Sequence, residues 1–151
     1  MKIKIREYRK TDENNVKNII NECLIEIFGK PHPEDKWENF NEYKRNGGKF
    51  YLAEENKIII GSIAIINKGN YGILKRMYIK KEYRGKGISQ ELLRKIIAFA
   101  RKKKYKKIEL TTHPKMKRAK LFYLKNDFNI IEILPNYIKF SRELKNGNHK
   151  H

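Results

Sequence analysis

Between Lys49 and Tyr83 the chain passes through three strand-like segments in a row, KFYLAEE, NKIIIGSIAIIN and YGILKRMYIKKEY. No other feature limits the fold so strongly. The first two segments are parted only at Glu55–Lys57, the second and third only by Lys68-Gly69-Asn70. A parallel pair needs a crossover of a dozen or more residues, whereas breaks this short close hairpins. An antiparallel meander is therefore expected in the middle of the chain.

The flanking patterns are mostly helical. Ile3 and Ile5 alternate with lysines as in a strand, and Thr11-Asp12 marks a helix start. Val16, Ile19, Ile20, Cys23, Leu24 and Ile27 then recur at helical spacing until Gly29 and Pro31 close the element. A looser amphipathic segment from Glu34 to about Tyr43, with Trp37 and Phe40 as its apolar points, is expected as a second helix. Beyond the meander, Leu92, Leu93, Ile96, Ile97 and Ala100 share one helical face, and the helix ends in RKKKYKK, where cations complement its dipole. KKIELTT predicts another strand, His113-Pro114 opens a shorter helix reaching Lys125, and FNIIEIL with NYIKFSREL predicts a closing strand pair. The order implies one mixed α/β domain over residues 1–145, with 146–151 as a flexible tail.

Charge narrows the partners less than its size suggests. The net charge of +19 draws anions and favours nonspecific contact with nucleic acid. Yet asparagine, isoleucine and tyrosine are abundant beside lysine, as A/T-rich coding would give. A basic nucleic-acid-binding protein is thus one reading, but the RKKKYKK lysines sit where a helix end carries them anyway, and no RNA-recognition or helix-turn-helix signature is present. No apolar run approaches a membrane span, and MKIKIREYRK lacks the apolar centre of a signal peptide, so a cytoplasmic protein is expected. The single Cys23 has no partner for a disulfide or a zinc site and is expected as a buried thiol. His32, His149 and His151 show no ligand spacing, and no metal is expected.

Chemistry concentrates in YRGKGISQEL, where an extended segment becomes a helix. A turn feeding a helix N-terminus gathers unpaired N–H groups, and the dipole adds partial positive charge there. Gly85 and Gly87 let the backbone approach a ligand, Arg84 and Lys86 add charge, and Ser89 is a small hydrogen-bond donor. The run has neither the spacing of a P-loop nor the third glycine of a dinucleotide fingerprint. On these residues alone, a pyrophosphate seat and a plain strand-to-helix turn stand level.

In its wider context LKRMYIKKEYRGKGISQELL resembles the signature of the GNAT superfamily of acyl-CoA-dependent N-acetyltransferases, in which a strand runs into Arg/Gln-x-x-Gly-x-Gly/Ala and then a helix. The matching run is Arg84, Gly85, Lys86, Gly87, Ile88 and Ser89, with serine at the last position in place of glycine or alanine. Downstream, RAKLFYLKNDFNII resembles the family's Ala-x-x-Phe/Leu-Tyr-x-Lys-x-Gly-Phe segment through Ala119, Phe122, Tyr123, Lys125 and Phe128, with Asp127 in place of glycine. The resemblance implies a central, mostly antiparallel sheet splayed around a coenzyme A cleft and flanked by helices. It implies acetyl-CoA as co-substrate. The main chain of Met77, Tyr78 and Ile79 would pair with the pantetheine arm, and the amides from Arg84 to Ser89 would cradle the pyrophosphate.

It further implies direct attack of a neutral amine on the thioester, with Tyr123 as general acid to the departing thiolate. A base is not assigned. Some related sequences carry a glutamate where Ile73 stands here, and Glu54, Glu55 and Glu109 lie on strands near the expected cleft. His113 is either a polar contact to pantetheine or a turn residue before Pro114. Acceptor selectivity in the family comes from the first helices and the last strand pair, which points to Phe28, His32 and Trp37, with Phe40 and Tyr137 beyond them. Glu34, Asp35, Glu38 and Glu42 form an acidic group on that side that would suit a cationic acceptor. The acceptor is a small-molecule amine or a peptide or protein amine, the protein is a monomer or homodimer, and a CoA-binding regulatory domain without catalysis is the competing reading.

Overall fold

The computed structural model describes residues 2–145, so the expected tail at 146–151, with His149 and His151, lies outside the described residues. The elements run β1 Lys4–Glu7, α1 Glu13–Phe28, α2 Glu42–Arg45, β2 Lys49–Glu55, β3 Ile58–Asn67, β4 Gly72–Ile79, α3 Ile88–Lys102, β5 Lys107–Thr112, α4 Lys117–Lys125, β6 Asn129–Leu134 and β7 Tyr137–Glu143. Helix α1 forms because Val16, Ile19, Ile20 and Cys23 make one buried stripe, and it stops because Gly29 takes the left-handed conformation, its N–H donating to the Ile25 carbonyl at 2.8 Å.

The second helix is not built as its pattern suggests. Glu34–Lys36 form a 3₁₀ turn, Trp37 is extended, and only the four residues of α2 are helical. Pro31 and Pro33 bias the residues before them away from the helical region. Tertiary contacts then claim the rest, with Trp37 stacked on His32 at 4.0 Å and Glu38 bound by Arg76. The apolar spacing of Trp37, Phe40 and Tyr43 is real, but an irregular segment delivers it.

All seven strands join one sheet in the order β1-β2-β3-β4-β5-β7-β6. Every neighbouring pair is antiparallel except β4 and β5, which are parallel and share only two rungs, Gly72↔Ile108 and Ile73↔Glu109. Beyond those rungs the two strands part. The closed end is tied by the Lys106 N–H to the Asn70 carbonyl at 2.7 Å and by the Tyr105 hydroxyl to Asn67 at 2.8 Å.

Strand β3 is buried on both faces because separate cores lie above and below it. On one side α3 presses Leu92, Leu93 and Ile96 onto Ile60, Ile63, Ile65 and Phe140, and on the other α1 and α2 bury Val16, Ile19, Ile20, Phe40 and Phe50 with Leu52. Between β3 and β4 the register shifts, Ser62 facing Tyr78 but Ala64 facing Lys75. The extra residue bends β4, and Arg76 in this bulge adopts φ +57°, a conformation uncommon for a side chain of its size. Fully buried Ser62 satisfies the displaced carbonyl, its hydroxyl donating to the Arg76 oxygen at 2.7 Å.

Candidate active site

The parting of β4 from β5 leaves the β4 edge beyond Ile73 without a strand partner on that side. A cavity of about 540 Å³ opens there, a size suited to a substantial ligand. Met77, Tyr78 and Ile79 line one wall, Arg84, Gly85, Gly87, Ile88 and Ser89 close one end, and α4 supplies Ala119, Phe122 and Tyr123 opposite. Lys86 is exposed beside the loop rather than part of the wall.

The loop glycines are needed for their backbone conformation. Gly85 and Gly87 have φ +75° and +84°, and a Cβ at either position would meet nothing within 4 Å. They admit the left-handed turn and leave open space before the helix. Among the described residues, the amides from Gly85 through Gln90 make no backbone hydrogen bonds, and the first helical one runs from Glu91 N–H to the Gly87 carbonyl at 3.1 Å. A row of free donors at the N-terminus of a fifteen-residue helix is an arrangement that suits an anion.

The charge of Arg84 is committed elsewhere. Its guanidinium grips Glu26 of α1 through both terminal nitrogens, at 3.0 and 2.8 Å, while Nε donates to the Ile79 carbonyl at 3.2 Å. The pair pulls the Glu26 carboxyl below its ordinary pKa. Arg84 therefore works as a strut between α1 and the exit of β4. Cys23 sits under it, with the sulfur 3.6 Å from an Arg84 nitrogen; burial pushes the thiol pKa up against the opposing pull of that cation. The thiol is buried as its helical spacing predicts, yet it also lines the cleft beside Glu26, which periodicity alone did not indicate.

Tyr123 lines the same cavity as the glycine loop. Its ring is buried among Phe128 and Phe140, with centroids at 5.5 and 5.7 Å. Its hydroxyl bonds to no other described residue, and among the described residues no buried side-chain oxygen lacks a partner, so the tip is open to the cleft. Burial, reinforced by the neighbouring Tyr78, raises the phenol pKa well above its usual range. The group is therefore protonated at neutral pH.

The residues expected on the acceptor side lie outside this cavity. Phe28 meets His113 edge-on at 4.9 Å, and His113 Nδ1 accepts from the Lys115 N–H at 3.0 Å, the local bond of a turn residue. Trp37 is flanked by Lys17 and Arg76, 5.4 and 5.6 Å from its ring, besides His32. Tyr137 is on the last hairpin, bonded to Glu132 at 3.0 Å. The acidic group is not a free cluster, since Glu38 is bound by Arg76 and Glu42 by Arg45. Glu54 accepts from Arg6, Glu55 from the Tyr83 hydroxyl, and Glu109 lies between Lys107 and Lys139, so each of these carboxylates already has a partner. Among the described residues no group of three or more His, Cys, Asp or Glu gathers in a metal-binding arrangement.

The Glu38–Arg76 pair has a consequence for acid stability. Burial opposes ionisation of Glu38, but hydrogen bonds from Arg76 and Tyr43 outweigh it and push its pKa down to about 2. A carboxylate lowered in this way stabilises the fold above its unfolded value of about 4.5 and loses that contribution as the pH falls toward 2. The side chain is 35% exposed, so solvent screening keeps the effect modest. Urea denaturation between pH 6 and pH 2 (roughly the span that linkage samples) should show a shallower decline for Glu38→Gln than for the parent. Parallel curves would mean that the pair contributes nothing.

The model of the acetyltransferase (GNAT) family matches residues 14–128, which takes in α1, the meander, the glycine loop and Tyr123. Among solved structures, a GNAT-family acetyltransferase from Staphylococcus aureus is 30% identical and superposes with a TM-score of 0.87, covering 95% of this chain and 100% of that one. An acetyltransferase from Streptococcus agalactiae is 25% identical with a TM-score of 0.77 over 94% and 98% of the two chains. The PaiA N-acetyltransferase of Thermoplasma acidophilum, solved in complex with coenzyme A, is 20% identical and shares the fold at a TM-score of 0.80 over 95% and 100%. No curated protein matches the chain. With the family model spanning most of its length and a seven-stranded sheet opened at β4 and β5, this chain belongs to the GNAT acetyltransferase family.

Proposed function

We propose that residues 1–145 form one N-acetyltransferase domain that moves an acetyl group from acetyl-CoA to a primary amine. The observation that carries this reading is the alignment of three features along one cleft: an unpaired β4 edge, a row of free amides at the α3 N-terminus, and the open hydroxyl of Tyr123. The residues fit the group. Main-chain groups of Met77, Tyr78 and Ile79 can pair with the amides of pantetheine as an added strand would. The amides from Gly85 to Gln90 suit the pyrophosphate, and the apolar faces of Met77 and Phe122 suit the arm between.

Acetyl-CoA supplies an activated thioester that a neutral amine attacks directly. Tyr123, kept protonated across the working pH range by its raised pKa, then donates its proton to the sulfur as the thiolate leaves. No side chain is given the role of base: the proton shed by the attacking nitrogen passes to water, and the Tyr123 phenolate is reprotonated from water. The acceptor is a small-molecule amine or the amine of a peptide or protein. No helix among the described residues is long and apolar enough to cross a membrane, which agrees with a cytoplasmic enzyme.

An amine panel with a free-thiol readout tests activity and acceptor class together. Thiol release with at least one amine, dependent on acetyl-CoA, is the expected result. Thermal stabilisation by acetyl-CoA without thiol release from any amine would point instead to the regulatory, non-catalytic reading. No stabilisation by acetyl-CoA at all would overturn both.

A further inference from the structure

Strand β4 changes faces part-way along its length. Leu74 belongs to the core under α3, and so do Met77 and Ile79. Strict alternation would put positions 74 and 79 on opposite faces. The residue inserted at the Arg76 bulge accounts for the change, and it turns Tyr78 against the other core, which α1 and α2 cover. In a regular strand Tyr78 would share the face of Leu74, beside α3.

The two tyrosines of the cavity thus reach it from opposite faces of the sheet. Tyr123 belongs to the α3 side and Tyr78 to the α1 side, where Cys23 and Ile27 line the cavity with it. They are near enough for a charge on Tyr78 to disfavour ionisation of Tyr123. No described residue holds the Tyr78 hydroxyl in a hydrogen bond of ordinary geometry, and among the described residues no buried side-chain oxygen lacks a partner, so this hydroxyl too is open rather than sealed. Its cationic neighbour Arg76 has its guanidinium committed to Glu38, with Nε donating at 2.8 Å. The lone pairs of the phenol oxygen are therefore available to a ligand.

An oxygen in this position can do what Tyr123 cannot. Helices α3 and α4 fill one face of the cleft, so a pantetheine arm laid along the β4 edge leaves its thioester open toward α1. A neutral amine arriving there has N–H groups to donate and one lone pair to direct at the carbonyl carbon. An oxygen that accepts one of those N–H groups fixes which way the lone pair points.

We propose that the Tyr78 hydroxyl accepts a hydrogen bond from the attacking amine and orients it toward the thioester, the acceptor entering between β4 and α1. This rests on the acetyl-transfer reading and adds no proton-transfer step to it.

Tyr78→Phe removes that oxygen and leaves the ring and the β4 main chain in place. Thiol release is followed with butylamine, a diamine and a peptide bearing free α- and ε-amino groups, and the amine that the wild type turns over fastest is carried forward. Its kcat/KM should fall roughly 3- to 10-fold in the variant, the worth of one hydrogen bond between uncharged groups, with the larger part of the fall in KM. The calorimetric affinity for acetyl-CoA and the melting temperature should match the wild type, whereas a loosened strand would move both. This split separates Tyr78 from Tyr123, whose loss falls on kcat. An unchanged amine KM, or a loss shared equally by amine and acetyl-CoA, overturns the role of Tyr78 and leaves the acetyl-transfer reading standing. A wild-type protein that releases no thiol with any amine overturns both.

Discussion

Replacing Tyr123 with phenylalanine should lower kcat by roughly 10²- to 10⁴-fold, the usual worth of a positioned general acid, while the affinity for acetyl-CoA stays nearly unchanged. The substitution is clean on structural grounds. The ring keeps its contacts with Phe128 and Phe140, and the hydroxyl that is lost holds no other described residue in place. The fold should therefore lose less than about 1 kcal/mol. Steady-state thiol release beside calorimetric titration of acetyl-CoA separates the two effects. Unchanged turnover removes Tyr123 from the chemistry, and a parallel collapse of cofactor affinity makes it a binding residue. The pH profile adds a check with a definite sign. Burial raises the phenol pKa, so Tyr123 stays protonated as the pH climbs through the usual tyrosine range. Any loss of rate below about pH 10 must then belong to another group.

The second large effect concerns stability and lies away from the cleft. Gly48→Ala should cost about 3 kcal/mol or more, within the upper range for overpacking against fixed atoms. A Cβ there would lie 2.1 Å from the Ile65 carbonyl oxygen and 2.9 Å from that of Tyr43. Both obstacles are backbone, one in a strand buried on both faces, so neither can swing aside as a side-chain tip would. The Gly48 N–H also donates to the Tyr43 carbonyl at 2.7 Å, which fixes the entry into β2. A melting temperature lower by roughly 6–12 °C is expected for a chain of this size. A shift below about 2 °C would show that the corner can rearrange. The contrast with Gly85 and Gly87 is instructive, because nothing crowds those two and only their positive φ calls for glycine.

The regular part of this fold was legible in the sequence. Short breaks between strand-like runs gave the meander, one apolar face gave α3, and residues of the two spaced motifs line one cavity. Features that depend on a distant partner were not legible. The segment from Glu34 to Tyr43 carries helical spacing, yet prolines and the Arg76 pair shape it otherwise. Arg84 sits where a phosphate ligand would be expected, and only the approach of Glu26, 58 positions earlier, shows that its side chain is occupied. The bulge at Arg76 left no sign, since nothing local marks an arginine for a left-handed conformation. Asp127 was marked: it stands where the family segment has glycine, and its φ of +67° explains why glycine suits that position.

The two rungs between β4 and β5 also mark the apex from which the cleft walls diverge. Their end of the cleft is pinned by the bonds of Tyr105 and Lys106, and Gly72 is packed so tightly that a Cβ would lie 2.6 Å from Ile65. The other end, past Ile79, has no such clamp between the strands. As at the hinge of a peg, a small difference of angle at the closed end corresponds to a larger difference of gap at the mouth. Side chains around Tyr105 do not line the cavity, yet they hold the end of the sheet from which its walls open.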